Sequence, residues 1–137
     1  MGGAAGRGGQ AADPETAVVA RSGDGGCMYK VQELTTAVLH KVALVTGVFT
    51  DGAFGNVLRM QRENYGGKVI ASNLHNPDFV KLAENFGAAV VRAHGPDELR
   101  VAIREGLKRE GPTLVEVPVG EMAEPWKLFF FPRARWK

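Results

Sequence analysis

The feature that most constrains this chain is a local pattern that occurs twice: an apolar run of strand length stops at an acidic, glycine-bearing turn and gives way to a helical pattern. The first copy is Ala17-Val18-Val19-Ala20 followed by Ser22-Gly23-Asp24-Gly25-Gly26. The second is Ala43-Leu44-Val45-Thr46-Gly47-Val48-Phe49 followed by Thr50-Asp51-Gly52-Ala53-Phe54-Gly55-Asn56. Near-continuous apolar runs suit strands buried on both faces. Strands alternating with helices imply an α/β fold on a parallel sheet with right-handed crossovers.

The rest of the chain continues the alternation. From Met28 to about His40, the positions Val31, Leu34, Thr35, Val38 and Leu39 fall on one helical face. Asn56 to Glu63 gives a short helix using Val57, Leu58 and Met60, and the loop Asn64-Tyr65-Gly66-Gly67-Lys68 follows as a lid candidate or an ordinary surface loop. Asn76-Pro77-Asp78 reads as a capped helix start, with Phe79, Leu82, Ala83 and Phe86 as its buried stripe and Gly87 as its stop. Ala88–Val91 is the third strand, Gly95-Pro96 opens a helix with the face Leu99, Ala102, Ile103 and Leu107, and Thr113–Val117 is the last strand.

A glycine-rich turn between a strand and a helix N-terminus presents backbone N–H groups and a positive dipole end, which suits an anion. Asp24 in that turn would repel a bare phosphate, so the pairing makes chemical sense with a bridging hard cation such as Mg2+. Ligands of open α/β sheets lie beyond the carboxyl ends of the strands, so Asp24 and Asp51 are expected to face one ion. Their separation of 51 − 24 = 27 positions leaves room for a crossover helix and a returning strand.

Gly23-Asp24-Gly25, the helix containing Val31-Gln32-Glu33-Leu34-Thr35-Thr36-Ala37, and then Thr50-Asp51-Gly52-Ala53-Phe54-Gly55 together resemble the two-part thiamin-diphosphate motif. In form it is similar to the acetolactate-synthase-like carboligases and decarboxylases, and the likeness runs from about Ala12 to Trp126. The resemblance implies a three-layer parallel sheet with helices on both faces, the thiamin-diphosphate-binding fold. It implies Mg2+ held by Asp24, Asp51 and the backbone carbonyl of Ala53, with Gly23, Gly25, Gly26, Phe54, Gly55 and Asn56 around the cofactor diphosphate and the N–H groups of Gly25 and Gly26 against it. Thr50 departs from the family, which has Asn there, and Cys27 stands where an aromatic residue is usual and reads as a smaller packing substitute.

The same resemblance implies a cofactor that performs the chemistry on a 2-keto acid, and no catalytic residue in this chain. The glutamate that activates the aminopyrimidine ring belongs to a separate pyrimidine-binding domain or subunit, so the chain is expected to be the diphosphate-binding part of a larger, oligomeric enzyme and inactive in isolation. A non-catalytic remnant or interaction domain that keeps the fold is the competing expectation, and a generic phosphate binder using another nucleotide is a third.

Other classes are disfavoured. A formal charge of +2 with scattered basic residues gives no footprint for nucleic acid. No apolar run approaches the roughly 20 residues of a membrane span, and the start lacks a signal-peptide pattern, so a cytoplasmic location is expected. Cys27 is the single cysteine, which excludes an internal disulfide. His40, His75 and His94 show no metal-ligand spacing and read as surface or capping residues. Met28 stands where a dinucleotide fingerprint needs glycine, and Gly26-Cys27-Met28 is not a phosphate loop of the Gly-Lys-Ser/Thr type. Residues 1–11 read as a frayed Gly/Ala-rich end, 12–123 as the binding domain, and 124–137 as an aromatic and basic arm that packs on a neighbouring domain or subunit.

Overall fold

The computed structural model describes residues 16–120 together with Gly6, Gly8 and Gly9. The arm at 124–137 lies outside the described residues. Four strands, β1 (Val18–Gly23), β2 (Leu44–Thr50), β3 (Ala89–Arg92) and β4 (Thr113–Pro118), form one sheet in the order β1-β2-β4-β3. All three pairings are parallel. Between the strands run α1 (Asp24–Met28), α2 (Glu33–Leu39), α3 (Gly55–Asn64), α4 (Phe79–Asn85) and α5 (Pro96–Gly106).

Residues of opposite parity on the central strands face opposite sides of the sheet. Val48 and Leu114 pack with Leu34, Phe79, Ala83 and Ala88, whereas Val45, Val115 and Val117 pack with Ala93 and Ala102. The two clusters make the three layers, with α2 and α4 on one face and α5 on the other. Five consecutive residues of β4, Thr113 to Val117, are buried, as a strand covered on both sides requires. Edge strands β1 and β3 are correspondingly more open.

The expected helix over Met28–His40 is broken. A turn at residues 29–32 separates α1 from α2 and resets the helical phase, so Ala37 is buried and Leu39 is 74% exposed. Cys27 packs against the core cluster beside Leu34, in keeping with its reading as a packing residue. Of the segment expected to be frayed, Gly6, Gly8 and Gly9 are helical, and Gly6 is buried so closely that an added Cβ would stand 3.0 Å from Ala20 Cβ. The fourth helix starts later than the Asn-Pro pair suggested. Asp78, not Asn76, is its cap, and its side chain accepts from the backbone N–H groups of Val80 and Lys81.

Glu116 is the charged residue of the central strand β4, only 7% exposed, and lies in register with Arg92 on β3. Arg92 Nε donates to Glu116 Oε2 at 2.8 Å, and its Nη2 donates to Asp78 Oδ1 at 3.2 Å. The guanidinium thus links the two strands to the cap of α4. Glu116, acting first by hydrogen bond, holds the Arg92 pKa above its ordinary value.

Phe79 is fully buried, so Phe79→Ala is expected to cost about 3–5 kcal/mol by denaturant unfolding. The Lys81 backbone N–H, ahead of the other contacts, holds the Asp78 carboxyl below its ordinary 3.8. A depressed folded pKa means that this stabilisation is present above the unfolded value and lost as pH falls through the folded one. Asp78→Asn, which can still cap, should therefore flatten the acid side of a Tm-against-pH curve, and an unchanged acid limb would contradict the assignment.

Candidate functional site

The adjacent parallel strands β1 and β2 end side by side, with Gly23 in register with Phe49. Asp24 and Asp51 are the next side chains beyond those ends. Asp24 is 2% exposed. Its Oδ1 accepts the Gly25 N–H at 2.8 Å, and its Oδ2 accepts the Gly52 N–H at 2.9 Å and Asn76 Nδ2 at 2.6 Å. A carboxylate offers about four lone-pair sites, so one acceptor direction remains beyond these three donors. The Gly52 amide immediately follows Asp51, which brings the two acidic turns together.

Asp51 is exposed, and its Oδ1 accepts the Ala53 N–H at 3.0 Å. The carboxylate closes an Asx-type turn over its own backbone. A Cβ added at Gly55 would come within 2.8 Å of Asp51 Oδ2, so glycine there is what allows the carboxylate to lie across the start of α3. Ala53 forms an antiparallel bridge with Asn73. The bonds of that bridge come from its neighbours, Phe54 N–H to Ser72 carbonyl and Leu74 N–H to Gly52 carbonyl, both at 2.8 Å. The backbone groups of Ala53 itself therefore point away from residues 72–74, leaving its carbonyl on the side where its N–H meets Asp51.

These groups line one open cleft of about 950 Å³. Every residue expected at the site reaches it: Gly23, Asp24, Gly25 and Gly26 from the first turn, and Asp51, Ala53, Phe54, Gly55 and Asn56 from the second. Some details differ from expectation. The Gly25 N–H, expected against an anion, is taken by Asp24. The helix after the first turn is five residues long, too short for much of a macrodipole. Tyr29 is 71% exposed and stacks on Phe54 with ring centroids 6.4 Å apart.

Sequence reasoning missed Asn76, which it assigned to a helix cap. The available signal was Pro77, since a following proline disfavours the helical region for Asn76 and leaves its amide for another partner. It also missed Arg59 and Arg62 of α3, which line the same cleft. Arg59 donates to Asn56 Oδ1 at 2.6 Å. Among the described residues there is no group of three or more His, Cys, Asp or Glu side chains placed to hold a metal. No helix among the described residues is long and apolar enough to cross a membrane.

A parallel α/β sheet whose first two strand ends bring two carboxylates and a glycine turn to one cleft belongs to the class of open α/β proteins that bind ligands beyond the carboxyl ends of their strands. Comparison makes the class specific. The sequence matches the family "Thiamine pyrophosphate enzyme, C-terminal TPP binding domain" over residues 1–117, and the chain belongs to that family. It is 40% identical over 106 residues to an acetolactate synthase of Bacillus subtilis, covering 77% of this chain and 18% of that protein. To the acetolactate synthase isozyme 2 large subunit of Escherichia coli it is 32% identical over 122 residues, covering 88% of this chain and 22% of that one. It thus spans about a fifth of the length of these relatives. A solved thiamine diphosphate-dependent 4-hydroxybenzoylformate decarboxylase of Rhodococcus jostii superposes with a TM-score of 0.80 at 27% identity, covering 87% of this chain and 23% of that one.

The first turn is sterically tight. A Cβ at buried Gly25 would stand 2.4 Å from Phe54 Cε1 and 3.0 Å from Leu74 Cδ1. Gly25→Ala is expected to destabilise by about 1–3 kcal/mol, and combining it with Phe54→Leu should return much of that loss as a favourable coupling energy in urea unfolding. Strictly additive losses would show that the ring is not what the new methyl meets.

Proposed function

We propose that this chain binds the diphosphate of thiamin diphosphate through Mg2+, as the diphosphate-binding part of an acetolactate-synthase-like carboligase or decarboxylase acting on 2-keto acids. The observation that carries the reading is the Gly52 N–H to Asp24 Oδ2 bond, which joins both acidic turns at one cleft. Mg2+ takes one or two carboxylates, keeps waters and binds ligand phosphates, all in oxygen coordination near 2.0–2.1 Å. Asp24, Asp51 and the Ala53 carbonyl match that donor set, and the short supply of protein ligands is what a phosphate-bridging ion needs.

Each residue then has a limited task. Asp24 and Asp51 hold the cation, the Gly23–Gly26 turn lies against the diphosphate with Gly25 fitted beneath the Phe54 ring, and Gly55 leaves room for the Asp51 carboxylate. Phe54, with Tyr29 stacked on it, walls the cleft. Thiamin diphosphate, when bound, supplies the carbon nucleophile and electron sink that 2-keto acid chemistry requires. The activating glutamate is assigned to a pyrimidine-binding domain or subunit in an oligomer. A cytoplasmic setting belongs to the same proposal, and Cys27, as the single cysteine, leaves no internal disulfide to argue for an oxidising compartment.

Thr50 and Cys27, where the family motif has other residues, favour one further reading: a domain that keeps this fold for interaction after losing cofactor affinity. Calorimetry separates the two. Heat on adding thiamin diphosphate that requires Mg2+ and disappears in Asp24→Ala is the expected result; absence of heat in the wild-type chain would select the remnant. Pyruvate decarboxylation by the isolated chain with both additives should be absent, and turnover without a partner would overturn the incomplete-enzyme reading.

A further inference from the structure

We propose that Asn76 is a positioning residue for the cation site, fixing the orientation of Asp24 so that its remaining acceptor direction faces the cleft. The inference rests on the Mg2+–diphosphate reading above. Asn76 lies 52 positions from Asp24 in sequence, on neither acidic turn, yet its Nδ2 donates to Asp24 Oδ2 at 2.6 Å, the shortest of the three bonds to that carboxylate.

The geometry explains why an amide is used. Gly25 N–H and Gly52 N–H approach from the two turns and leave the carboxylate free to rock about the line between them. A third donor on Oδ2 from a separate segment removes that freedom. An amide NH2 donates without adding charge, whereas a lysine or arginine would offset the negative charge the cation needs. Hydrogen-bond partners of metal-binding carboxylates set ligand orientation and typically change affinity by 10–100-fold.

Asn76 is itself held. Pro77 has a fixed φ and disfavours the helical region for Asn76, and Asp78 caps α4 and accepts from Arg92, which is anchored on buried Glu116. A side chain on so constrained a backbone reaches Asp24 with little loss of rotamer freedom. Behind the same segment, Ser72 is fully buried and donates to Gln61 Oε1 at 2.5 Å, which ties the approach to Asn76 onto α3.

The test titrates the 137-residue chain with Mn2+ at saturating thiamin diphosphate, reading free Mn2+ by electron paramagnetic resonance. Wild type, Asn76→Ala and Arg92→Ala are compared. Asn76→Ala is expected to weaken Mn2+ by about tenfold or more. Arg92→Ala, which loosens the same junction without touching Asp24, is expected to weaken it much less. Equal Mn2+ affinity of Asn76→Ala and wild type overturns the proposal, as does equal weakening in the two variants, which would mean general loosening. Should Asn76→Ala fail to fold, the wild-type Asn76 side-chain amide resonance decides: it should shift when Mg2+ and thiamin diphosphate are added together, and an unmoved resonance in protein that binds them overturns the role. Wild type that takes up no Mn2+ with the cofactor present brings down the functional reading first, and this proposal with it.

Discussion

One buried carboxylate organises the functional end of this molecule. An unpaired charge removed from water costs on the order of several kcal/mol even after relaxation, so the burial of Asp24 is tolerable only because three donors converge on it. Those donors come from the turn after β1, the turn after β2 and the segment before α4. Satisfying one side chain therefore requires three separate parts of the chain to be in place at once. The cleft lies beside the point where these segments meet, with Asp24 in its lining.

The sheet supplies the rigidity that this convergence needs. Central strands β2 and β4 are covered on both faces, and the two apolar clusters on either side hold the strand ends in fixed relation. The charged Glu116 within β4 is compatible with that core because Arg92 meets it from the neighbouring strand. The same guanidinium continues to Asp78, so the satisfaction of one buried acid also steadies the segment that serves the other.

Belonging to a family of C-terminal thiamine pyrophosphate-binding domains, the chain shows what that family's strand-end architecture asks of its residues. Glycine is required where the approach is closest, at Gly25 under the Phe54 ring and at Gly55 beneath the Asp51 carboxylate. The two acids of the turns, Asp24 and Asp51, share the cleft with Arg59, Arg62 and Glu63 of α3.

Much of the architecture could be read from the residues. The mostly apolar runs at Leu44–Val48 and Thr113–Val117 became central strands because such runs are best satisfied by burial on both faces. The two acidic turns met because parallel neighbours must place their carboxyl ends together. The break at residues 29–32 and the exposure of Leu39 were not legible, since a helical stripe records period but not interruption.

Sequence by itself determined the strand–turn–helix order, the pair of acids beyond adjacent strands and the glycines around them, because local periodicity and turn chemistry are properties of neighbouring residues. Only the tertiary structure decided that Asn76 leaves its expected cap for Asp24, that Arg92 bridges Glu116 and Asp78, and that Tyr29 lies on Phe54. Those contacts join residues that no period relates, and their partners are chosen by packing: a buried polar group takes whichever donor the fold brings within reach.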